Sequence, residues 1–184
     1  MIEKIKTLVK GKCSLDEWDY HISLVVKYSK LLAKKLNANE EIAELGALLH
    51  DIGWITDIKN DSDHEISGQI IAEEILKDYD YPQDTINEIK HIIASHRGGS
   101  GAEPKTVSAK IVANADAMAH FDVVPWLIQI GLKNNNGDLR KAVEWTYKKI
   151  ERDWNNKLTL PEAKELTQKK YEGIKSILEP MINK

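Results

Sequence analysis

The chain has 184 residues, of which 42% are hydrophobic and 30% are charged. These values are typical of an ordinary globular protein and exclude a disordered, fibrous or membrane-embedded chain. Its 26 lysines and arginines against 29 aspartates and glutamates leave a formal net charge of −3. Because no general positive field is available to hold a nucleic-acid backbone, we expect no stable nucleic-acid binding.

The lone cysteine and the short apolar runs indicate the compartment. Cys13 is the single cysteine, which excludes an intrachain disulfide and a thiolate metal cluster and fits a reducing cytoplasm. Residues 1–12 form a charged amphipathic stretch without the apolar region of a signal peptide. No apolar run approaches the roughly 18–20 residues that a membrane span needs. We therefore expect a cytoplasmic protein without a membrane partner.

Apolar residues recur at steps of three and four almost throughout the chain, without sustained period-two alternation. This pattern predicts an all-α protein. Capping-box spacing marks two helix starts, at Ser14 with Glu17 and at Ser62 with Glu65. The predicted helices cover residues 2–10, 15–36, 39–51, 63–78, 83–96, 104–119, 123–133, 137–156 and 161–183.

The C-terminal third differs in composition from the rest of the chain. After residues 134–137, helices rich in Lys, Glu and Trp carry no clustered histidines. Their stripe of Val143, Tyr147, Ile150 and Trp154 has helical spacing, and we interpret it as a packing surface. We therefore predict a single domain over residues 1–184, in which a bundle over about residues 14–120 carries a C-terminal helical hairpin within about residues 121–184.

Three polar residues in the first half of the chain stand where a helix favours other residue types. His21 lies on the apolar face of its predicted helix, so its imidazole points inward. His50 and Asp51 end the next helix, with Gly53 following as a helix terminator. The helix dipole disfavours an anion at that end, so Asp51 requires a cation nearby.

Asp116 lies in the apolar, alanine-rich run 111–119. A buried, unpaired carboxylate costs several kcal/mol or becomes protonated, so this residue also requires a partner. His64 and His96 lie on inward faces of their own predicted helices. His91 is about 140° around the helix from His96, which assigns it to the surface. His120 is left out of the predicted site.

Taken alone, an inward histidine is more often a hydrogen-bonded core residue, and a His-Asp dipeptide is common. The joint occurrence of these groups in one small helical domain indicates a metal. We predict a set of two imidazoles and two carboxylates as ligands of one divalent ion: His21, His50, Asp51 and Asp116. Mn, Fe, Co, Ni, Zn and Mg all accept such nitrogen and oxygen ligands, so the metal stays open.

The motifs follow one another as a histidine, then His50-Asp51-Ile52-Gly53, and later Val112-Ala113-Asn114-Ala115-Asp116. This order, over roughly residues 14–120, resembles the HD-domain metal-dependent phosphohydrolase superfamily. Residues 64–72, 95–97 and 160–164 are more closely similar to small stand-alone HD hydrolases. By this similarity, the four predicted ligands match the family's metal ligands. His64 and His96 match positions that hold a second metal or face the substrate phosphate, although Ser95 replaces a histidine of the dinuclear pattern.

The resemblance implies an all-α HD-domain enzyme that hydrolyses a phosphate ester or anhydride through a metal-activated water. Its substrate would be a nucleotide or another small phosphorylated metabolite. Asp51, His64 and His96 would be catalytic. Arg97 and Lys105 would bind the substrate phosphate.

Several alternatives stay open. The sequence does not place the general acid, for which Asp57 and Glu65 are candidates by proximity. The glycines at positions 98, 99 and 101 offer backbone N–H groups to an anion or form a solvent loop. A di-iron oxygenase of the HD type and a non-catalytic binding or regulatory module are the competing functions. A second metal ion and a homodimer also stay open.

Overall fold

In the computed structural model, the described residues are 1–56, 64–97 and 102–182, and within these ranges the chain is helical without strands. The all-α prediction is therefore confirmed. No helix in the described ranges combines the length and the apolar character that crossing a membrane requires. The helices are α1 (Ile2–Lys12), α2 (Leu15–Glu17), α3 (Ser23–Lys35), α4 (Glu40–Leu49), α5 (Ile52–Thr56), α6 (His64–Asp78), α7 (Gln83–Ser95), α8 (Val107–His120), α9 (Val124–Asn134), α10 (Leu139–Arg152) and α11 (Pro161–Ile182).

The predicted helix over residues 15–36 begins at the expected capping box. The Ser14 hydroxyl accepts a hydrogen bond from the Glu17 backbone N–H at 3.2 Å, and the Glu17 carboxylate accepts one from the Ser14 N–H at 2.7 Å. The helix then runs through α2, a π-helical segment Trp18–Ile22, and α3. The second predicted capping box begins at Ser62, which lies outside the described residues. Since π-helical turns often occur at functional sites, the position of His21 in this segment is informative.

The predicted helix over residues 39–51 ends earlier than expected. Helix α4 ends at Leu49 and α5 begins at Ile52, so His50 and Asp51 lie at the junction. The interpretation of Gly53 as a helix terminator is wrong, because Gly53 lies inside α5. A Cβ atom there would stand 2.1 Å from the backbone oxygen of His64. Glycine is therefore needed for the close approach of α5 to α6.

Helix α8 lies at the centre of the bundle and packs against α3, α4 and α7. Every residue from Ile111 to His120 is buried. One cluster of buried apolar side chains extends from Ile5 in α1 to Leu178 in α11. Asp116 therefore projects from the most enclosed helix of the fold.

The C-terminal helices pack on this bundle as predicted. Val143 and Ile150 of the predicted stripe are buried in the common core, and the partly buried Tyr147 and Trp154 pack against it. The Trp154 ring also stacks on Tyr171, with ring centroids 4.3 Å apart. A second π-helical segment, Asp153–Lys157, follows α10 and contacts α8. This contact brings C-terminal residues next to Asp116.

Replacing Gly53 with alanine should destabilise the fold. The added methyl group would collide with the backbone of α6, and no side-chain rotation relieves such a collision. We expect the free energy of unfolding in urea, measured in EDTA, to fall by about 1–3 kcal/mol. Gly173 in α11 is the matched control, because a Cβ there meets no atom within 4 Å. Equal stability of Gly53→Ala and the wild type would contradict this account of the α5–α6 contact.

Candidate metal centre

The four predicted metal ligands meet in the interior of the bundle. His21 Nε2 lies 3.2 Å from His50 Nε2 and 3.2 Å from Asp51 Oδ2. The same nitrogen lies 3.5 Å from Oδ1 of Asp116, on α8. His50 Nε2 is 3.4 Å from Asp51 Oδ2. The π-helical segment, the α4–α5 junction and α8 therefore bring these donors around the His21 imidazole. Asp116 belongs to a group of possible ligands with His21, but not to the group that His21 forms with His50 and Asp51.

These distances fit a divalent ion. Nitrogen and oxygen donors at about 2.0–2.2 Å from one ion are at most about 4.4 Å apart. Each of the four distances between these donor atoms is shorter than that limit. His21, His50 and Asp51 thus form one group of side chains that could hold a metal.

Backbone carbonyls orient two of the imidazoles. His50 Nδ1 donates to the Ala47 carbonyl oxygen at 2.8 Å, and His96 Nδ1 donates to the Ile93 carbonyl oxygen at 2.7 Å. In each neutral ring the Nε2 lone pair then faces the carboxylates. This is the arrangement by which proteins commonly orient metal-binding histidines.

Asp51 joins two groups of donors through its two oxygens. Oδ2 faces His21 and His50, whereas Oδ1 lies 3.2 Å from His96 Nε2 and 3.7 Å from His64 Nε2. Asp51, His64 and His96 form a second group that could hold a metal. The chain therefore supplies donors for two neighbouring ions, although Ser95 leaves the second group one histidine short of the dinuclear pattern.

The charges of the centre stabilise one another. Burial alone would lower the pKa of His50, but the carboxylates of Asp51 and Asp116 raise it to about 9. Burial would raise the pKa of Asp51, yet the His50 charge and hydrogen bonds from three histidines hold it well below its usual value. The metal-free centre thus holds a proton that a metal ion would displace.

Lys157 occupies one oxygen of Asp116. Its Nζ donates to Asp116 Oδ2 at 2.5 Å, and both side chains are buried. Burial would raise the pKa of Asp116, but Lys157 above all, with the nearby histidines, holds it well below its usual value. Asp116 therefore offers only Oδ1 to a metal.

His120, left out of the predicted site, lies beside it. Its Nε2 is 3.8 Å from Asp116 Oδ1, and its ring stacks on His21 with centroids 5.4 Å apart. His120 Nδ1 donates to Oδ2 of the fully buried Asp153 at 2.8 Å. The sequence analysis left His120 out, but α8 turns residues 116 and 120 to the same face. His21, Asp116 and His120 form a third group that could hold a metal.

The centre opens into a cavity of about 460 Å³ with a basic wall. Arg97 lines this cavity, and its guanidinium donates to Glu65 at 3.3 Å; its proposed role in binding phosphate stays a prediction. Most of the other basic residues come from α10 and the segment that follows it. The basic residues that line the cavity are Arg97, Lys148, Lys149, Arg152 and Lys157. The C-terminal helices thus contribute to the site as well as to packing.

An adjoining compartment of about 590 Å³ shares His21, Asp51 and His64 with that cavity. Half of its other lining residues are aromatic or aliphatic, among them Trp54, Trp126 and Trp145, and the other half are polar or charged, among them Asp16 and Glu17. All three tryptophans are partly buried, so each presents some ring surface. The centre therefore lies between a basic region and an aromatic region.

Other predicted site residues lie away from the donors. Lys105 is exposed and is not among the described residues that line the cavity. Its backbone N–H donates to His91 Nε2 at 3.0 Å, which holds the chain at Lys105 against α7. Glu65 accepts the hydrogen bond from Arg97. Asp57 and the glycines at 98, 99 and 101 lie outside the described residues.

The comparison with known proteins agrees with this architecture. The HD domain family matches residues 18–120, more than half of the chain, and covers all four predicted ligands. The chain belongs to the HD-domain family.

Known relatives place the chain within that family. Ribonuclease Y of Thermosipho melanesiensis is 38% identical over 101 residues, which cover 54% of this chain and 18% of that protein. The chain thus spans about a fifth of the length of that relative. Among solved structures, Bacillus subtilis YpgQ in complex with ADP superposes with a TM-score of 0.73 at 20% identity, covering 98% of this chain and 92% of YpgQ. A predicted HD superfamily hydrolase from an uncultured Thermotogales bacterium gives 0.66 at 19% identity, covering 98% and 91%. The two solved structures share the fold of this chain over nearly its whole length.

Proposed function

We propose that this protein hydrolyses a phosphate ester or anhydride of a nucleotide or another small phosphorylated metabolite. The observation that carries the proposal is the shared cavity, into which both the His/Asp centre and a wall of basic side chains open. Phosphate oxygens are recognised by such cations through charge-assisted hydrogen bonds. A divalent ion beside them provides a second attraction for the same group.

His21, His50, Asp51 and Asp116 are the proposed ligands of the first ion. A divalent ion bound there would lower the pKa of a water molecule and neutralise charge on the phosphate. Asp51 also orients the water, because its carboxylate oxygens accept hydrogen bonds. His96 presents an Nε2 lone pair as long as Nδ1 donates to Ile93. We therefore favour His64 and His96, with Asp51, as ligands of a second ion over donors to the phosphate.

The basic wall is proposed to bind the phosphate. Lys149 and Arg152 share Asp153 as their counter-ion, at 3.6 Å and 3.1 Å, so one positive charge of this pair is not neutralised. Arg97 also lines the cavity and follows His96 in sequence. A planar guanidinium presents paired donors that match phosphate oxygens. These residues would hold the phosphate against the centre and leave the aromatic compartment for the rest of the substrate.

A nucleotide is the substrate that fits both regions. Its phosphates match the basic wall, and its base matches the ring surfaces of Trp54, Trp126 and Trp145, since aromatic rings stack on flat heterocycles. The ADP in the structurally similar YpgQ supports the same choice. The ribonuclease Y relatives make a short RNA a substrate to test alongside nucleotides.

A di-iron oxygenase is the second candidate. The bridging position of Asp51 between two groups of donors favours two ions, which that chemistry requires. The basic wall supplies cations for a phosphate group, on which hydrolysis would act directly, so we favour hydrolysis.

Assays of released phosphate and pyrophosphate, together with electrophoresis of the RNA products, test the proposed function. The metal-free full chain is reconstituted with each of Mn²⁺, Fe²⁺, Co²⁺, Ni²⁺, Zn²⁺ and Mg²⁺ and offered nucleotides, p-nitrophenyl phosphate, sugar phosphates and short RNA. We expect metal-dependent phosphate release with nucleotides, and a KM about tenfold higher for Arg97→Ala, because one charge-assisted hydrogen bond is lost. Lys105→Ala is the matched control and should leave KM unchanged. No hydrolysis with any metal, or two irons per chain with oxygen consumption, would contradict the proposal.

A further inference from the structure

His120 and Asp153 form a buried pair beside the predicted ligands. We propose that His120 is a further ligand of the metal centre on its Asp116 side, and that Asp153 holds the imidazole in position. The proposal rests on the metal centre of the proposed function and does not depend on its reaction. It adds a ligand from the end of α8 and a positioning residue from outside the matched HD domain region.

The hydrogen bond to Asp153 determines which nitrogen of His120 faces the centre. Nδ1 donates to Asp153 Oδ2 at 2.8 Å, so a neutral ring keeps its lone pair on Nε2. Nε2 lies 3.8 Å from Asp116 Oδ1, within the limit of about 4.4 Å for two donors on one ion.

Asp153 is built to hold that orientation. The carboxylate is fully buried, and Arg152 donates to its Oδ1 from Nη2 at 3.1 Å. Lys149 lies 3.6 Å from Oδ2, the oxygen that accepts from His120. Such a histidine, held by a carboxylate through its second nitrogen, is a recurrent feature of metal sites.

A purely structural role for His120 does not explain its second nitrogen. A core histidine would direct Nε2 at a donor, whereas His120 directs it at a carboxylate oxygen of Asp116 and towards the cavity. Two acceptors that face each other in a buried site repel unless a proton or another cation lies between them. Lys157 already donates a hydrogen bond to Oδ2 of Asp116. The oxygen that faces His120 and His21 is therefore Oδ1, which Lys157 does not bind.

Cobalt binding tests the proposal without reference to activity. Co²⁺ is titrated into the metal-free full chain, and its visible absorption spectrum reports both affinity and ligand set. His120→Ala should bind Co²⁺ at least about 10- to 100-fold more weakly, and its absorption spectrum should change. A loss of this size is typical when a residue that hydrogen-bonds to a metal ligand is removed, so removal of a ligand itself should cost no less. Asp153→Asn should weaken binding by about 10- to 100-fold. His91→Ala removes a histidine outside the centre and should leave affinity and spectrum unchanged.

Unchanged Co²⁺ affinity and spectrum in His120→Ala would overturn the proposal. If His120→Ala does not fold in EDTA, His120→Gln replaces it under the same criteria. The wild-type chain provides an independent readout, because the ¹⁵N resonance of His120 Nε2 should shift on Zn²⁺ binding as a ligand nitrogen does, and an unshifted resonance would also overturn the proposal. Failure of the proposed function would give a different result from failure of this proposal. No substrate would then be hydrolysed, whereas the Co²⁺ binding results would be as expected here.

Discussion

Asp51→Asn should empty both halves of the metal centre. Each carboxylate oxygen faces a different group of donors: Oδ2 faces His21 and His50, and Oδ1 faces His64 and His96. The amide has no negative charge, and its nitrogen does not bind a cation. We expect metal affinity to fall by more than about 100-fold. This loss exceeds the roughly 10- to 100-fold that is typical when a residue hydrogen-bonded to a metal ligand is replaced. Elemental analysis of the purified chain should find little metal.

The control for this variant is Asp122→Asn. Asp122 is a partly buried aspartate that accepts hydrogen bonds from Tyr28 and Lys170, away from the centre. It should lose some stability and keep the metal content of the wild type. Wild-type metal content in Asp51→Asn would refute the assignment of Asp51 as a shared ligand.

Lys157→Met should destabilise the metal-free protein strongly and the metal-loaded protein less. Lys157 and Asp116 form a buried ion pair, and removal of one partner of such a pair typically costs about 3–5 kcal/mol. A metal ion on Asp116 would compensate the remaining charge. The variant should therefore bind metal more tightly and gain more stability from it than the wild type does.

Urea unfolding in EDTA and in saturating Mn²⁺ measures this difference. Lys148→Met is the control, because Lys148 forms an exposed pair with Glu144 one helical turn away. Such pairs contribute about 0.3–0.5 kcal/mol, so little change is expected in either condition. An equal loss of stability for Lys157→Met with and without metal would show that the ion does not reach Asp116.

Helical periodicity was sufficient to direct the four predicted ligands inward. His21 lay on an apolar face, and the carboxylates of Asp51 and Asp116 stood where a helix does not favour an unpaired anion. Their order along the chain resembled the HD-domain family, which the match over residues 18–120 confirmed. Their role as ligands stays a prediction that the metal measurements test.

Two omissions had different causes. His120 carried a usable signal, since it lies one helical turn after Asp116 and therefore on the same face of α8. Asp153 and Lys157 carried none, because their contacts with His120 and Asp116 cross 33 and 41 residues of chain. Asp153 lies within the predicted helix 137–156 and Lys157 directly follows it, and neither position in the sequence indicates a buried charge.

The sequence by itself determined the helical class, the family and the inward direction of His21, His50, Asp51 and Asp116, because these depend on local spacing and on the identity of nearby residues. Only the tertiary structure decided that Asp51 faces two groups of donors, that Lys157 occupies one oxygen of Asp116, and that Asp153 orients His120. These contacts depend on how helices that are distant in sequence pack together. Their strength depends on burial and charge in the assembled bundle, which the pattern of a single segment does not reveal.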